Sequence, residues 1–183
     1  MSFYPFGVYL NRMKKATLFL MTIILSAFVF AKNPGTAKIT FSSLDFKGNK
    51  VSEEVFSRNK ITMLNVWGTF CPPCIREMPD LAALNREYAA KGFQVIGIPL
   101  DITDSQGNVN PLLRKDADKI IERTGADYMH IIPSEEMFYT FLRGVQAIPA
   151  TFFVDSEGNI IGKMYLGARS RADWQKIIDS LLK

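Results

Sequence analysis

From Lys60 to Trp67 the chain reads KITMLNVW, an apolar run of strand length, the pattern of a strand buried on both faces. The period then changes. Ile75, Met78, Leu81, Leu84 and Tyr88 recur at helical spacing, which predicts a helix over 72–90 that Lys91 and Gly92 stop. FQVIGIPLD, residues 93–101, is a second buried strand. A polar stretch, ITDSQGNVNP, leads from it into a helix from Leu112 to about Thr124, and MHIIP is a short strand. SEEMFYTFL, residues 134–142, again has helical spacing. Residues 149–167, PATFFVDSEGNIIGKMYLG, predict a hairpin around a turn at Asp155–Gly158, and Arg171–Leu182 closes the chain as an amphipathic helix. Ahead of all this, short β segments at Ile39–Phe41 and at Val51 flank the turn KGNK. A strand-helix-strand crossover followed by a hairpin and a last helix predicts an α/β fold: a mixed central β-sheet flanked by helices on both faces, with N-terminal β additions.

Composition changes this picture little. With 183 residues, 48% hydrophobic and 22% charged, the chain has the make-up of one globular domain, placed at 38–183. The net charge of +4 is local: Arg12, Lys14 and Lys15 lie in the first 31 residues, which hold no acid, and the rest carries 19 basic against 18 acidic residues. A nucleic-acid partner is therefore not implied, and a monomer is expected.

The N-terminal excess has its own meaning. MKKATLFLMTIILSAFVFAKN places two lysines before an uncharged apolar run, Ala16 to Ala31, with Val29 and Ala31 small enough for a cleavage site, the pattern of a secretory signal peptide over 1–31. A helix of that run would span about 24 Å against a hydrocarbon core of about 30 Å, which favours cleavage over retention as an anchor. Met13 is the more natural start of such a segment, and residues 32–37 read as a linker. Export implies an extracytoplasmic location, where disulfides persist.

The candidate chemistry lies in WGTFCPPCIREMP, which holds the chain's two cysteines, Cys71 and Cys74. A disulfide closing so short a loop removes little unfolded-state entropy, so stability is not its purpose. At a strand-to-helix junction the first sulfur lies over the helix N-terminus, where unpaired amides and the macrodipole favour a thiolate. That makes Cys71 the candidate nucleophile and Cys74 the candidate resolving thiol. Pro72 tolerates the first helical position because its missing N–H costs nothing there.

NVWGTFCPPCIREMP together with IPATFFVD from Ile148 resembles the thioredoxin superfamily, especially its exported thiol-disulfide oxidoreductases of the TlpA and ResA type, over about 37–183. The resemblance implies a thioredoxin-like fold, a redox-active Cys71–Cys74 disulfide, and a cis Pro149 facing the cysteines. It implies too that the Ile148 backbone pairs with an extended client segment, and that Trp67, Phe70, Pro72, Pro73 and Ile148 form the client-binding surface. Thioredoxins carry a buried aspartate where this chain has Asn65. Glu77, one helical turn beyond Cys74, is the candidate to move the proton of that thiol. Phe70 stands where a tryptophan is usual. The implied activity is reduction of disulfides in exported clients, apocytochrome c or a methionine sulfoxide reductase among them, with electrons from a membrane carrier of the DsbD or CcdA type. No flavin or nicotinamide motif is present, and no cofactor is expected.

Bland readings stand beside these. Zinc wants about four ligands and the chain offers two cysteines and His130, so no metal site is expected. His130 reads as a strand residue without a catalytic role, Glu77 equally as a solvated helix residue, and the scattered methionines as core filling. Two other functions compete. A peroxiredoxin-type thiol peroxidase would need threonine three residues before its cysteine, where this chain has Gly68. A non-enzymatic chaperone presenting haem or metal is the second.

Overall fold

The computed structural model describes residues 38–183, so the signal and linker expected over 1–37 lie outside the described residues. Two short strands come first, β1 (Ser42–Leu44) and β2 (Lys50–Ser52), paired antiparallel. The central sheet has five strands: β3 (Ile61–Trp67), β4 (Phe93–Pro99), β5 (Met129–His130), β6 (Ala150–Asp155) and β7 (Ile160–Leu166), in the order β5-β4-β3-β6-β7. β4 runs parallel to β3 and to β5, while β6 is antiparallel to β3 and to β7, which makes the sheet mixed as the element order predicts. The helices are α1 (Pro72–Tyr88), α2 (Pro111–Thr124), α3 (Glu135–Thr140) and α4 (Arg171–Leu181).

β3 is buried at all seven positions because both of its faces are covered. Alternate side chains enter different cores. Met63 and Trp67 join Met78, Leu81, Leu84, Ala117, Ile120, Trp174 and Ile178 under α1, α2 and α4. Leu64 and Val66 join Ile39, Phe41, Phe56, Met137, Phe141 and Leu142 under the N-terminal segment and α3. Truncating a fully buried leucine such as Leu81 to alanine would cost about 2–5 kcal/mol.

The structure moves several predicted boundaries, three of them with a clear local reason. Ile39 and Phe41 are buried, yet the ladder begins only at Ser42, and the Ile39 N–H donates instead to the carbonyl of Gly158 at 2.8 Å. The second buried strand stops at Pro99, level with the end of β3 at Trp67, and Leu100–Ile102 turns away as a 3-10 turn. α1 ends at Tyr88, and a 3-10 turn over Ala89–Lys91 carries the chain to Gly92, whose φ of 84° a side chain would resist.

Candidate active site

β3 ends at Trp67 and α1 begins at Pro72, after four intervening residues, with Cys71 as the capping residue at φ −104° and ψ 92°. Its own N–H is held by the Gly68 carbonyl at 3.1 Å. Pro72 and Pro73 occupy the first helical positions and carry no N–H, so the first helix amide left to face the sulfur is that of Cys74, which donates to Cys71 Sγ at 3.3 Å. Cys71 and Cys74 form a disulfide, with Cα atoms 5.3 Å apart. Cys71 keeps 5% of its surface and Cys74 none, so of the pair only Cys71 retains any contact with solvent. Phe70, 72% exposed, stands beside it.

Sheet register assembles the surroundings. Antiparallel pairing sets Val66 opposite Ala150, and continuing it by one and two residues brings Pro149 level with Trp67 and Ile148 level with Gly68. The Ile148–Pro149 peptide bond is cis, and the Pro149 carbonyl accepts from the Gly167 N–H at 2.9 Å. Gly68 is closely approached: a Cβ there would lie 2.9 Å from Ile148 Cδ1, so the end of the Ile148 side chain would have to shift. Parallel pairing sets Trp67 beside Pro99, so two residues further on Thr69 meets Asp101. Asp101 accepts from the Thr69 N–H at 3.1 Å and from its hydroxyl, which pins the turn just before Cys71.

Glu77 is not a solvated residue. It is 4% exposed, on the buried face of α1 one turn past Cys74. Asn65 Nδ2 donates to Glu77 Oε1 at 3.1 Å and reaches Thr151 Oγ1 at 3.4 Å, and the Arg169 backbone N–H donates to Glu77 Oε2 at 3.2 Å. The Trp174 indole turns toward the same carboxylate without completing a hydrogen bond. Burial pushes the Glu77 carboxyl above its ordinary range, against the pull of the Arg169 N–H, Asn65, Trp174 and the Arg169 charge. A buried carboxyl with a raised pKa, one helical turn beyond a buried cysteine, is suited to accept and return a proton.

The client-binding expectation needs one correction. Phe70 and Pro72 are exposed, and Pro73 and Ile148 partly so, but Trp67 is fully buried. It packs edge-on against His130, ring centroids 5.8 Å apart, and supports the cysteine turn from below. His130 is buried too, stacked on Tyr128 at 4.6 Å. Its Nε2–H donates to the Ala126 carbonyl at 3.1 Å, which leaves Nδ1 as a bare lone pair against Gly97. Burial lowers its pKa to about 4, so the ring is neutral at physiological pH.

Asp101, Arg169 and Trp174 escape a reading of the sequence. Only strand pairing reveals Asp101, and Arg169 reaches Glu77 across 92 residues.

A model of the AhpC/TSA family matches residues 34–163. The thiol-disulfide oxidoreductase ResA of Geobacillus thermodenitrificans is 28% identical over 124 residues, 68% of this chain and 64% of the relative, so the match spans just under two thirds of that protein. The thiol:disulfide interchange protein DsbE of Haemophilus influenzae is 29% identical over 133 residues, covering 73% of this chain and 65% of the relative. Among solved structures, a thioredoxin-family thiol:disulfide interchange protein of Chlorobium tepidum superposes with a TM-score of 0.68 at 25% identity, over 84% of this chain and 100% of the other.

Proposed function

The chain belongs to the AhpC/TSA family, and from that premise we propose that it is an extracytoplasmic thiol-disulfide oxidoreductase that reduces disulfides in exported client proteins. The observation that carries the reading is the asymmetry of the Cys71–Cys74 pair: Cys71 caps α1 and keeps a small exposed surface, and Cys74 is sealed, one turn before the buried Glu77.

In the reduced protein the Cys71 thiolate attacks one sulfur of a client disulfide. That bond breaks, a client thiolate leaves, and Cys71 is joined to the client by a mixed disulfide. Cys74 gives its proton to Glu77 and attacks Cys71 Sγ, which re-forms the Cys71–Cys74 bond and expels the second client thiolate. Glu77 then returns the proton toward that product. Two electrons have passed from the dithiol to the client, and the protein is left in the disulfide form. The Ile148 backbone beside cis Pro149, with exposed Phe70 and Pro72, would seat the client strand.

Each further cycle needs two electrons from a dithiol donor, for which a DsbD- or CcdA-type membrane carrier is proposed. A disulfide-bearing exported protein is the proposed client, with an apocytochrome c, a methionine sulfoxide reductase or a surface protein as the alternatives. The signal pattern before residue 32 supports the extracytoplasmic location. A peroxidase reading gains nothing from the site: the position of the required threonine is Gly68.

Cys74→Ser tests the proposal. It removes the resolving thiol and should accumulate mixed disulfides with client proteins in cells, while Cys71→Ser should trap nothing. Trapping by Cys71→Ser alone would reverse the assignment, and trapping by neither would overturn the exchange reading.

A further inference from the structure

The turn between β7 and α4 touches the site twice through its backbone. Gly167 donates to the Pro149 carbonyl at 2.9 Å, and Arg169 donates to Glu77 Oε2 at 3.2 Å. The conformation of this turn is fixed by the Arg169 side chain. Its Nη1 donates to the carbonyls of Leu166 at 3.1 Å and Gly167 at 2.9 Å, and the guanidinium lies 5.0 Å from the Tyr165 ring centroid and 5.2 Å from that of Trp174. A planar cation with several fixed donors can grip two successive carbonyls while stacking on two rings, and a lysine ammonium cannot reproduce that geometry.

We propose that Arg169 is a positioning residue: its guanidinium folds the turn so that its own backbone N–H is held on the Glu77 carboxylate, keeping Glu77 ready to take the proton of Cys74. The inference rests on the reading of Glu77 as the proton acceptor. Facing Glu77 are Asn65 from β3, Tyr128 from the segment before β5, Trp174 from α4 and Arg169 from the turn, with Cys74 one turn earlier on α1; of these, Arg169 alone is cationic. Burial drives the carboxyl up and Arg169 opposes it twice, by the N–H bond and by its charge. Loss of the clamp weakens both, so burial prevails further. Glu77 then becomes an acceptor only at higher pH.

The experiment is a carbon-detected titration of the Glu77 carboxyl in the full chain held in the disulfide form, where no thiol titrates. Arg169→Ala should move the midpoint to higher pH. Arg169→Lys, which keeps the charge but loses the fork, should move it in the same direction by less. Lys163→Ala, which removes the other cation near the Tyr165 ring, should leave it in place. An unmoved midpoint in Arg169→Ala would overturn the proposal. Should that variant fail to fold, Arg169→Lys decides: a rise supports the clamp and an unmoved midpoint overturns it. The reading of Glu77 itself is judged separately, by the pH dependence of exchange in Glu77→Gln, so the two can fail independently.

Discussion

Asn65 Nδ2 donates to Glu77 Oε1 at 3.1 Å in a fully buried setting, joining the middle of β3 to the first turns of α1 beneath the cysteines. The amide therefore serves as a neutral donor that holds a carboxylate in place. Asn65→Asp would set two carboxylates against each other in a dry site, and they could coexist only by sharing a proton. The folded pKa of the pair rises, so the penalty is full at alkaline pH and shrinks on acidification through that raised pKa. A loss of about 1–3 kcal/mol at pH 8 that lessens by pH 5 is expected in urea unfolding. Equal stability of mutant and parent at both pH values would contradict the contact's role.

Glu77→Gln keeps the shape and removes the proposed base. Resolution of a mixed disulfide at Cys71 should then slow by about tenfold to a hundredfold near neutrality and regain speed only where Cys74 ionises unaided. Stopped-flow measurement of client release across pH checks this, and an unchanged profile would assign Glu77 a structural role alone.

Asp101→Ala removes the acceptor that holds the Thr69 N–H and hydroxyl, two residues before Cys71, the proposed nucleophile. A loss of about 1–3 kcal/mol in unfolding free energy is expected, with slower exchange because Cys71 loses its fixed position. Thr69→Val, which removes the hydroxyl and keeps the N–H bond, should cost less. Exchange at the parental rate in Asp101→Ala would show that the pin is dispensable for chemistry.

His130 ties stability to pH. Its folded pKa of about 4 lies below the ordinary value of 6.5, so the unfolded chain takes up a proton first as pH falls. Stability should decline from about pH 6.5 toward pH 4 and level off below, by a total on the order of 3 kcal/mol from this group. Glu77, whose folded pKa is raised, works in the opposite sense at the acidic end of the window. Urea unfolding of His130→Phe should show a flatter acid limb than the parent, and an identical limb would assign the decline to other groups.

Local pattern carried most of the fold. The apolar KITMLNVW run and the helical spacing after Cys71 are strong signals because β3 is buried on both faces and α1 on one. What local pattern missed depends on pairing. Thr69 meets Asp101 only because β3 and β4 run parallel in a register that sets Trp67 beside Pro99, and Trp67 looks client-facing until β5 brings His130 against it. One signal was legible but incompletely used. The pattern Asp-x-x-Gly-Asn occurs at Asp45, Asp104 and Asp155, and each time the aspartate accepts two backbone N–H bonds ahead of a glycine at positive φ. The turn at Asp45 closes the N-terminal hairpin between Leu44 and Lys50, which is why the ladder lies past the Ile39–Phe41 alternation.

The central claim is that this dithiol donates electrons. Two prolines follow Cys71 and leave its sulfur one near amide donor, from Cys74, with no cation between the cysteines. With so few donors the thiolate should be stabilised less than in strong oxidants, which would favour the disulfide form and make the reduced protein a reductant. Equilibration of the full chain with a glutathione redox series measures this directly. The midpoint should lie nearer to about −270 mV, the value of thioredoxin, than to about −120 mV, the value of the oxidant DsbA, and a midpoint more oxidising than about −180 mV would contradict the reductase assignment.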